Sequence, residues 1–268
     1  MLKSCLALWK RDLLEQFSYQ GALFLETLGI LSNLLVFYFI AKLLPSGSSP
    51  FLASYEGGYF AYVLIGIAFS GFQLSALNAF TTAIQKEVDA GTFEAIFVTA
   101  AGLRPVLLAS LAAQMGWTAL RTSAYFLLGS LFFGAHFGRV DFPAAAITVF
   151  LTISSHLGLG LVSAGFVVAY KRGDPVAFFT NTASKFLSGV YFPVAVLPAG
   201  LQALAHGFPL THSLEALRKV FMNHATLSSV SHELAALTLF TLILMPAGLI
   251  YFRWAFRKAL REGSLAFQ

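Results

Sequence analysis

Charge is scarce in this sequence. Only 11% of its 268 residues are Asp, Glu, Lys or Arg, against about 25% in a soluble domain. Two stretches of 29 residues, 57–85 and 142–170, contain none. That argues against a soluble helical core, whose helices need polar faces. Cysteine is nearly absent too. Cys5 stands alone, which excludes a disulfide framework and any cysteine-based metal site. No phosphate loop of the form G-x-x-x-x-G-K-S/T occurs, so any ATP chemistry belongs to another polypeptide. H-E-x-x-H, G-x-S-x-G and paired Asp within the apolar runs are missing as well, and His232-Glu233 lacks a second His. An embedded protease or lipid transferase therefore has no catalytic constellation.

What is present is apolar. The chain is 57% hydrophobic with 28 Phe, and its mean hydropathy is +0.76. A run of about 20 apolar residues spans a bilayer. The sequence reads as an all-α integral membrane domain over 1–268, with six spans at about 22–44, 58–84, 104–134, 143–170, 176–191 and 234–253. Pro246 is expected to kink the last. Ahead of them, residues 2–20 put Leu2, Leu6, Trp9, Leu13 and Phe17 on one helical face, with Lys3, Lys10 and Arg11 off it. This fits a helix lying in the membrane interface; the alternative is a soluble helix packed on a partner. The first apolar run is too long for a signal core and lacks a small-residue cleavage site, so no cleavable signal peptide is expected.

Six spans put both termini on one side, together with eleven Lys and Arg, against four on the other. The positive-inside rule then places both termini, and the loop between spans 2 and 3, in the cytoplasm of a multi-pass cytoplasmic (inner) membrane protein. The net charge of +5 is read as contact with membrane lipid headgroups. No basic run has the form of a nucleic-acid patch, so no nucleic-acid partner is expected.

The polar island "KEVDAGTFEAIFVTAAGLRP", residues 86–105, interrupts the apolar pattern. Gly91 can break one helix and permit a sharp entry into the next. Phe93, Ile96 and Phe97 recur at i, i+3, i+4, while Glu87, Asp89 and Glu94 supply charge. A short helix with an aromatic face must bury it on the membrane or in a partner's groove. This segment resembles the coupling-helix segment in permease subunits of type-2 ATP-binding-cassette (ABC) transporters. That pattern is Glu, three residues, Gly-Thr, any residue, Glu, several apolar residues, Thr-Pro. Glu87, Gly91, Thr92, Glu94 and Thr99 match; Ala100 stands where the family has Pro, and Pro105 comes later.

A second stretch, 188–218, is similar to the family's segment after span 5. There Phe192, Pro193, Leu197, Pro198, Pro209, Leu210, Thr211, Glu215 and Arg218 match the punctuation of two short external helices. The resemblance covers essentially the whole chain. It implies a homodimer whose coupling helices are gripped by two copies of a cytosolic ABC ATPase, with Phe93, Ile96 and Phe97 as the grip. ATP and Mg would sit on that partner, with no cofactor on this chain and no catalysis by it. An amphipathic or hydrophobic substrate (drug-like, lipid or glycan) would move out of the cytoplasm or inner leaflet.

Arg121 and Lys185 are expected at membrane depth, where a charge costs roughly 2.5–3.5 kcal/mol on insertion scales. Arg121 is read first as paired within the bundle and second as lining a pathway; Lys185 fits either reading. The stretch "FFTNTASKF", 178–186, mixes Thr180, Asn181, Thr182, Ser184 and Lys185 with three Phe, and is the candidate pathway lining. His156 reads as a packing residue rather than a ligand. Glu26 is assigned to a basic residue of the interfacial helix, and Glu215 to Arg218 as an i, i+3 salt pair. Gly66/Ser70 and Gly160/Ala164 permit close helix packing. Two alternatives remain open: an ion-coupled secondary transporter, which calls for inverted repeats and midplane carboxylates, and a non-transporting scaffold.

Overall fold

The computed structural model describes residues 20–44, 50–52, 57–92, 103–170 and 173–261, together with Trp9, Arg11, Ser18 and Tyr55. Among the described residues there are α-helices and short 3-10 turns but no strand. The long and short helices are α1 (Gln20–Leu43), α2 (Gly58–Asp89), α3 (Arg104–Phe133), α4 (Phe142–Tyr170), α5 (Pro175–Leu187), α6 (Ala199–Ala205), α7 (Pro209–Met222) and α8 (Ser231–Arg261). Most of the expected interfacial helix, 2–20, lies outside the described residues.

At 1.5 Å per residue, a bilayer core of about 30 Å calls for about 20 helical residues. α1, α2, α4 and the segment Leu227–Ala259, which contains most of α8, meet that length with an apolar composition. α8 continues through Pro246 without a break. α3 has the length, 30 residues, but its polar side chains keep it out of that apolar set. Three of them are turned on α2: Gln114 Nε2 donates to Ala79 O (3.4 Å), Thr118 Oγ1 lies 2.6 Å from Ser75 Oγ, and Thr122 Oγ1 donates to Ala68 O (3.0 Å). Interhelical hydrogen bonds of this kind join helices where lipid supplies no hydrophobic drive between them.

The fifth expected span is corrected. α5 has 13 residues, about 20 Å, and ends at Leu187 rather than Tyr191. Ser188 caps it and Gly189 turns the chain at φ +79°, a conformation that disfavours any side chain. The chain then runs through a 3-10 turn, Val194–Val196, into α6 and α7.

α2 is the central helix. It packs against α1, α3, α4, α5 and α7, and 72% of its most apolar window is buried, against 11% for α1. Phe24, Leu28 and Phe39 on α1, and Leu239, Leu242 and Ile250 on α8, point outward, which suits helices whose outer face meets lipid. Close approach depends on small residues. A Cβ on Gly160 would lie 2.5 Å from Ala76 O of α2, and one on Gly158 would press on the Leu244 backbone of α8. α7 looks amphipathic in sequence, yet it is core: Leu210, Leu214, Leu217 and Val220 are buried among Tyr62, Ile65 and Phe69 of α2. It sits inside the bundle rather than on its surface.

Candidate functional site

The exit of α2 is built from the residues singled out by sequence. The Gly91 N–H donates to Val88 O (2.9 Å) and the Thr92 N–H to Glu87 O (3.0 Å), the two bonds of a Schellman cap. Gly91 takes the left-handed conformation, φ +66°, that this cap requires. Glu87 is 4% exposed. One carboxylate oxygen accepts from the Thr92 hydroxyl (2.5 Å) and the other from Arg11 Nη2 (3.1 Å). Charge-assisted bonds from both sides hold the turn against the N-terminal segment. Glu87 and Thr92 thus set the direction in which the chain leaves α2. Phe93, Glu94, Ile96 and Phe97 of the expected coupling helix lie outside the described residues. Leu103 leads into α3, with Pro105 buried in its first turn.

α5 is tied to α2 at both ends. Asp174 caps its N-terminus, accepting from the Ala177 N–H at 2.9 Å, with Pro175 at the first helical position, a favoured start sequence. The second oxygen of Asp174 accepts from Thr81 of α2 (3.3 Å) and from Ser163 of α4. At the other end, Tyr62 of α2 donates its hydroxyl to Gly189 O (3.1 Å). Arg218 of α7 donates to Gly189 O (2.7 Å) and to Tyr62 O (3.3 Å), with its guanidinium 3.4 Å from the centre of the Tyr62 ring. Gly66 makes room for this knot; a Cβ there would collide with Val190 O and lie 2.9 Å from Arg218 Nη2. The expected Glu215–Arg218 pair is therefore corrected. Arg218 is buried among carbonyls, and Glu215 pairs with Lys219 (3.4 Å), which also meets Glu233 (2.5 Å). Burial pulls the Lys219 ammonium down, but the two carboxylates outweigh it and raise its pKa.

Between these ties runs a polar seam. Thr81 lies 3.2 Å from Ser163 and Gly160 lies against the Ala76 and Leu77 backbone, so α4 runs parallel to α2. One turn along, this register brings His156 level with Gln73. α5 runs the other way, from Thr81 toward Tyr62, which puts Asn181 about midway, near the same level. Both amide atoms of Gln73, His156 Nε2, Asn181 Oδ1, Ser184 Oγ and Ser188 Oγ are buried without a hydrogen-bond partner. His156 Nδ1 lies 2.7 Å from Thr152 O, so Nδ1 carries the proton and Nε2 is the open acceptor. Buried polar groups in this condition are costly unless water or a polar ligand satisfies them. The opposite face of α5 is aromatic, with Phe178, Phe179 and Phe186 exposed.

The other residues marked from sequence fall as follows. Arg121 Nε lies 3.3 Å from Glu26 Oε1, so Glu26 pairs across to α3; most of the interfacial helix to which it was assigned lies outside the described residues. Lys185 is half-buried on α5. Pro193 and Pro198 precede the 3-10 turn and α6, and Pro209 opens α7, each lending its fixed φ to a helix start. Sequence reading passed over Gln73 because it carries no charge in a charge-free run. It missed the reach of Asp174, although the Asp-Pro pair marks a helix start.

The family model for "ABC-2 type transporter" matches residues 3–222. Nodulation protein J of Neorhizobium galegae is 27% identical over 255 residues, 90% of each chain. Nodulation protein J of Rhizobium leguminosarum bv. trifolii is 26% identical over 240 residues, 85% of this chain and 84% of its own. With the all-helical fold, the long apolar helices and a match over most of its length, the chain belongs to the ABC-2 type transporter family, as a multi-pass membrane permease that is itself not catalytic.

Proposed function

We propose that this chain is the membrane half of an ATP-driven exporter. It works as a homodimer with two copies of a separate cytosolic ATPase, which carries the ATP and Mg, and both of its termini face the cytoplasm. The observation that carries this reading is the α2 exit. A buried carboxylate, a Thr hydroxyl and a left-handed Gly brace the turn leading into residues 93–100, as expected where an outside force enters a bundle. Glu94, Phe93, Ile96 and Phe97 form the gripped surface.

The ties through Asp174 and through Arg218–Tyr62 make α5 follow α2. Motion of the coupling loop is thereby delivered to the helix that carries Asn181 and Lys185, along which the substrate moves. α5 offers aromatic rings on one face and unpartnered amide and hydroxyl groups on the other, which suits an amphipathic substrate with a polar part and an apolar part. Arg121, neutralised by Glu26, is structural in this scheme.

The test is co-purification. Wild-type protein is expected to purify with a distinct ATPase polypeptide, and Phe97→Asp, which puts a charge on the gripped face, to lose most of it while remaining in the membrane. Normal association and transport by Phe97→Asp would remove the loop's assigned role. Transport driven by an ion gradient without nucleotide would favour a secondary transporter.

A further inference from the structure

The last turns of α8 carry a set of cations that the transport reading does not use. Ile250, Arg253, Trp254, Arg257, Lys258 and Arg261 line a cavity of about 620 Å³. Arg253, Arg257 and Arg261 recur at i, i+4, i+8, one helical face. Successive guanidiniums on that face are about 6 Å apart along the axis, and the row is about 12 Å long. Lys258 holds its ammonium 5.1 Å from the Tyr170 ring centre and 5.7 Å from that of Trp254. Among the described residues no carboxylate pairs with any of these four cations.

The place of the cavity narrows the ligand. The apolar segment Leu227–Ala259 ends within it, and Ile250 is 69% exposed on the outward face one turn above the first arginine. Trp254, half-exposed and next to the first arginine, is the residue type that settles at headgroup depth. Cations at a helix C-terminus also answer the helix dipole, but that effect fades within the last turn, and Arg253 lies two turns before the end. A ladder of unpaired guanidiniums, a Trp at the boundary and an apolar wall running into the bilayer together match one kind of ligand. Its phosphates meet the arginines in forked hydrogen bonds, and its chains lie along Ile250. A free phosphate would leave Ile250 and Trp254 unused.

We propose that the C-terminal end of α8 is a binding site for an anionic phospholipid, and that a headgroup with two phosphates is preferred to one with a single phosphate. The row of three arginines is long enough for two phosphates, each held between neighbouring guanidiniums. Basic clusters at the end of a membrane helix are a recognised setting for such lipids. The site requires only that α8 crosses the bilayer, and it stands whether or not the coupling loop grips an ATPase.

The experiment compares the full chain in nanodiscs of phosphatidylcholine alone, with phosphatidylglycerol, and with cardiolipin at matched negative charge. Bound lipid is counted by native mass spectrometry and melting is followed in parallel. Wild-type protein is expected to retain cardiolipin over phosphatidylglycerol and to melt higher with it. Arg253→Gln/Arg257→Gln/Arg261→Gln is expected to bind cardiolipin roughly a hundredfold more weakly, as for three cations removed from a lipid surface, while melting like wild type in phosphatidylcholine. Arg253→Lys/Arg257→Lys/Arg261→Lys keeps the charge but not the forked geometry, and is expected to lose the preference between the two anionic lipids. Equal binding of cardiolipin by wild type and the Gln variant overturns the proposal. So does equal binding of the two anionic lipids by wild type, or the same melting shift with inorganic phosphate. Loss of a co-purifying ATPase by the Gln variant in phosphatidylcholine, with lipid binding unchanged, would assign the face to a protein partner instead.

Discussion

Asp174 shows how much one side chain does in this bundle. One oxygen caps α5 and the other accepts from helices α2 and α4, so a single carboxylate joins three helices. Asn is a competent cap and can still exchange hydrogen bonds with the two hydroxyls, which rotate to suit. Asp174→Asn is therefore expected to cost about 1 kcal/mol. Asp174→Ala loses the cap and leaves Thr81 and Ser163 facing an empty site, for about 2–4 kcal/mol. Thermal unfolding of the purified variants measures both. Equal melting of Asp174→Ala and wild type would show that the three-helix junction holds without it. If α5 transmits force from α2, Asp174→Asn should also retain ATPase association.

At the scale of elements, α1, α2, α4 and α8 fall on the long apolar runs read from sequence, although α2 and α8 continue past their expected ends at 84 and 253 to Asp89 and Arg261. α3 was located as well, but its Gln and Thr residues were given no role. Gln114, Thr118 and Thr122 are instead the means by which it holds α2, and no single-sequence signal shows which neighbour a Thr will face. α5 was read too long because Ser188–Tyr191 continues the apolar pattern of the helix. The turn is set by Gly189 and by a hydrogen bond from Tyr62, 127 residues away in sequence, which local reading does not reach. The Glu215–Arg218 pairing failed for the same reason: the partners of Arg218 come from α2 and the end of α5.

The polar stripe of α5 also yields a test. Cys5 is the sole cysteine, so Cys5→Ser gives a cysteine-free background. Ser184→Cys is expected to react with a hydrophilic methanethiosulfonate reagent while the ATPase turns over, several-fold faster than Leu77→Cys, a buried position in the apolar core. Absence of reaction at Ser184→Cys in every nucleotide state would mark the seam as sealed packing rather than a route.

Over the whole molecule, α2 is both the most buried of the four apolar spans and the one whose end leads into the proposed coupling loop, so under that proposal force applied at the loop enters the bundle at its centre. The asymmetry of basic residues in the loops and the exposed apolar faces of α1 and α8 fit this arrangement within a bilayer. Everything depends on which side of the membrane holds residues 93–100. Ala95→Cys in the Cys5→Ser background, treated with a membrane-impermeant maleimide, measures that directly. The expected result is no labelling on intact cells, labelling in inside-out vesicles, and protection there when the ATPase is bound. Labelling on intact cells would contradict the coupling role at its root.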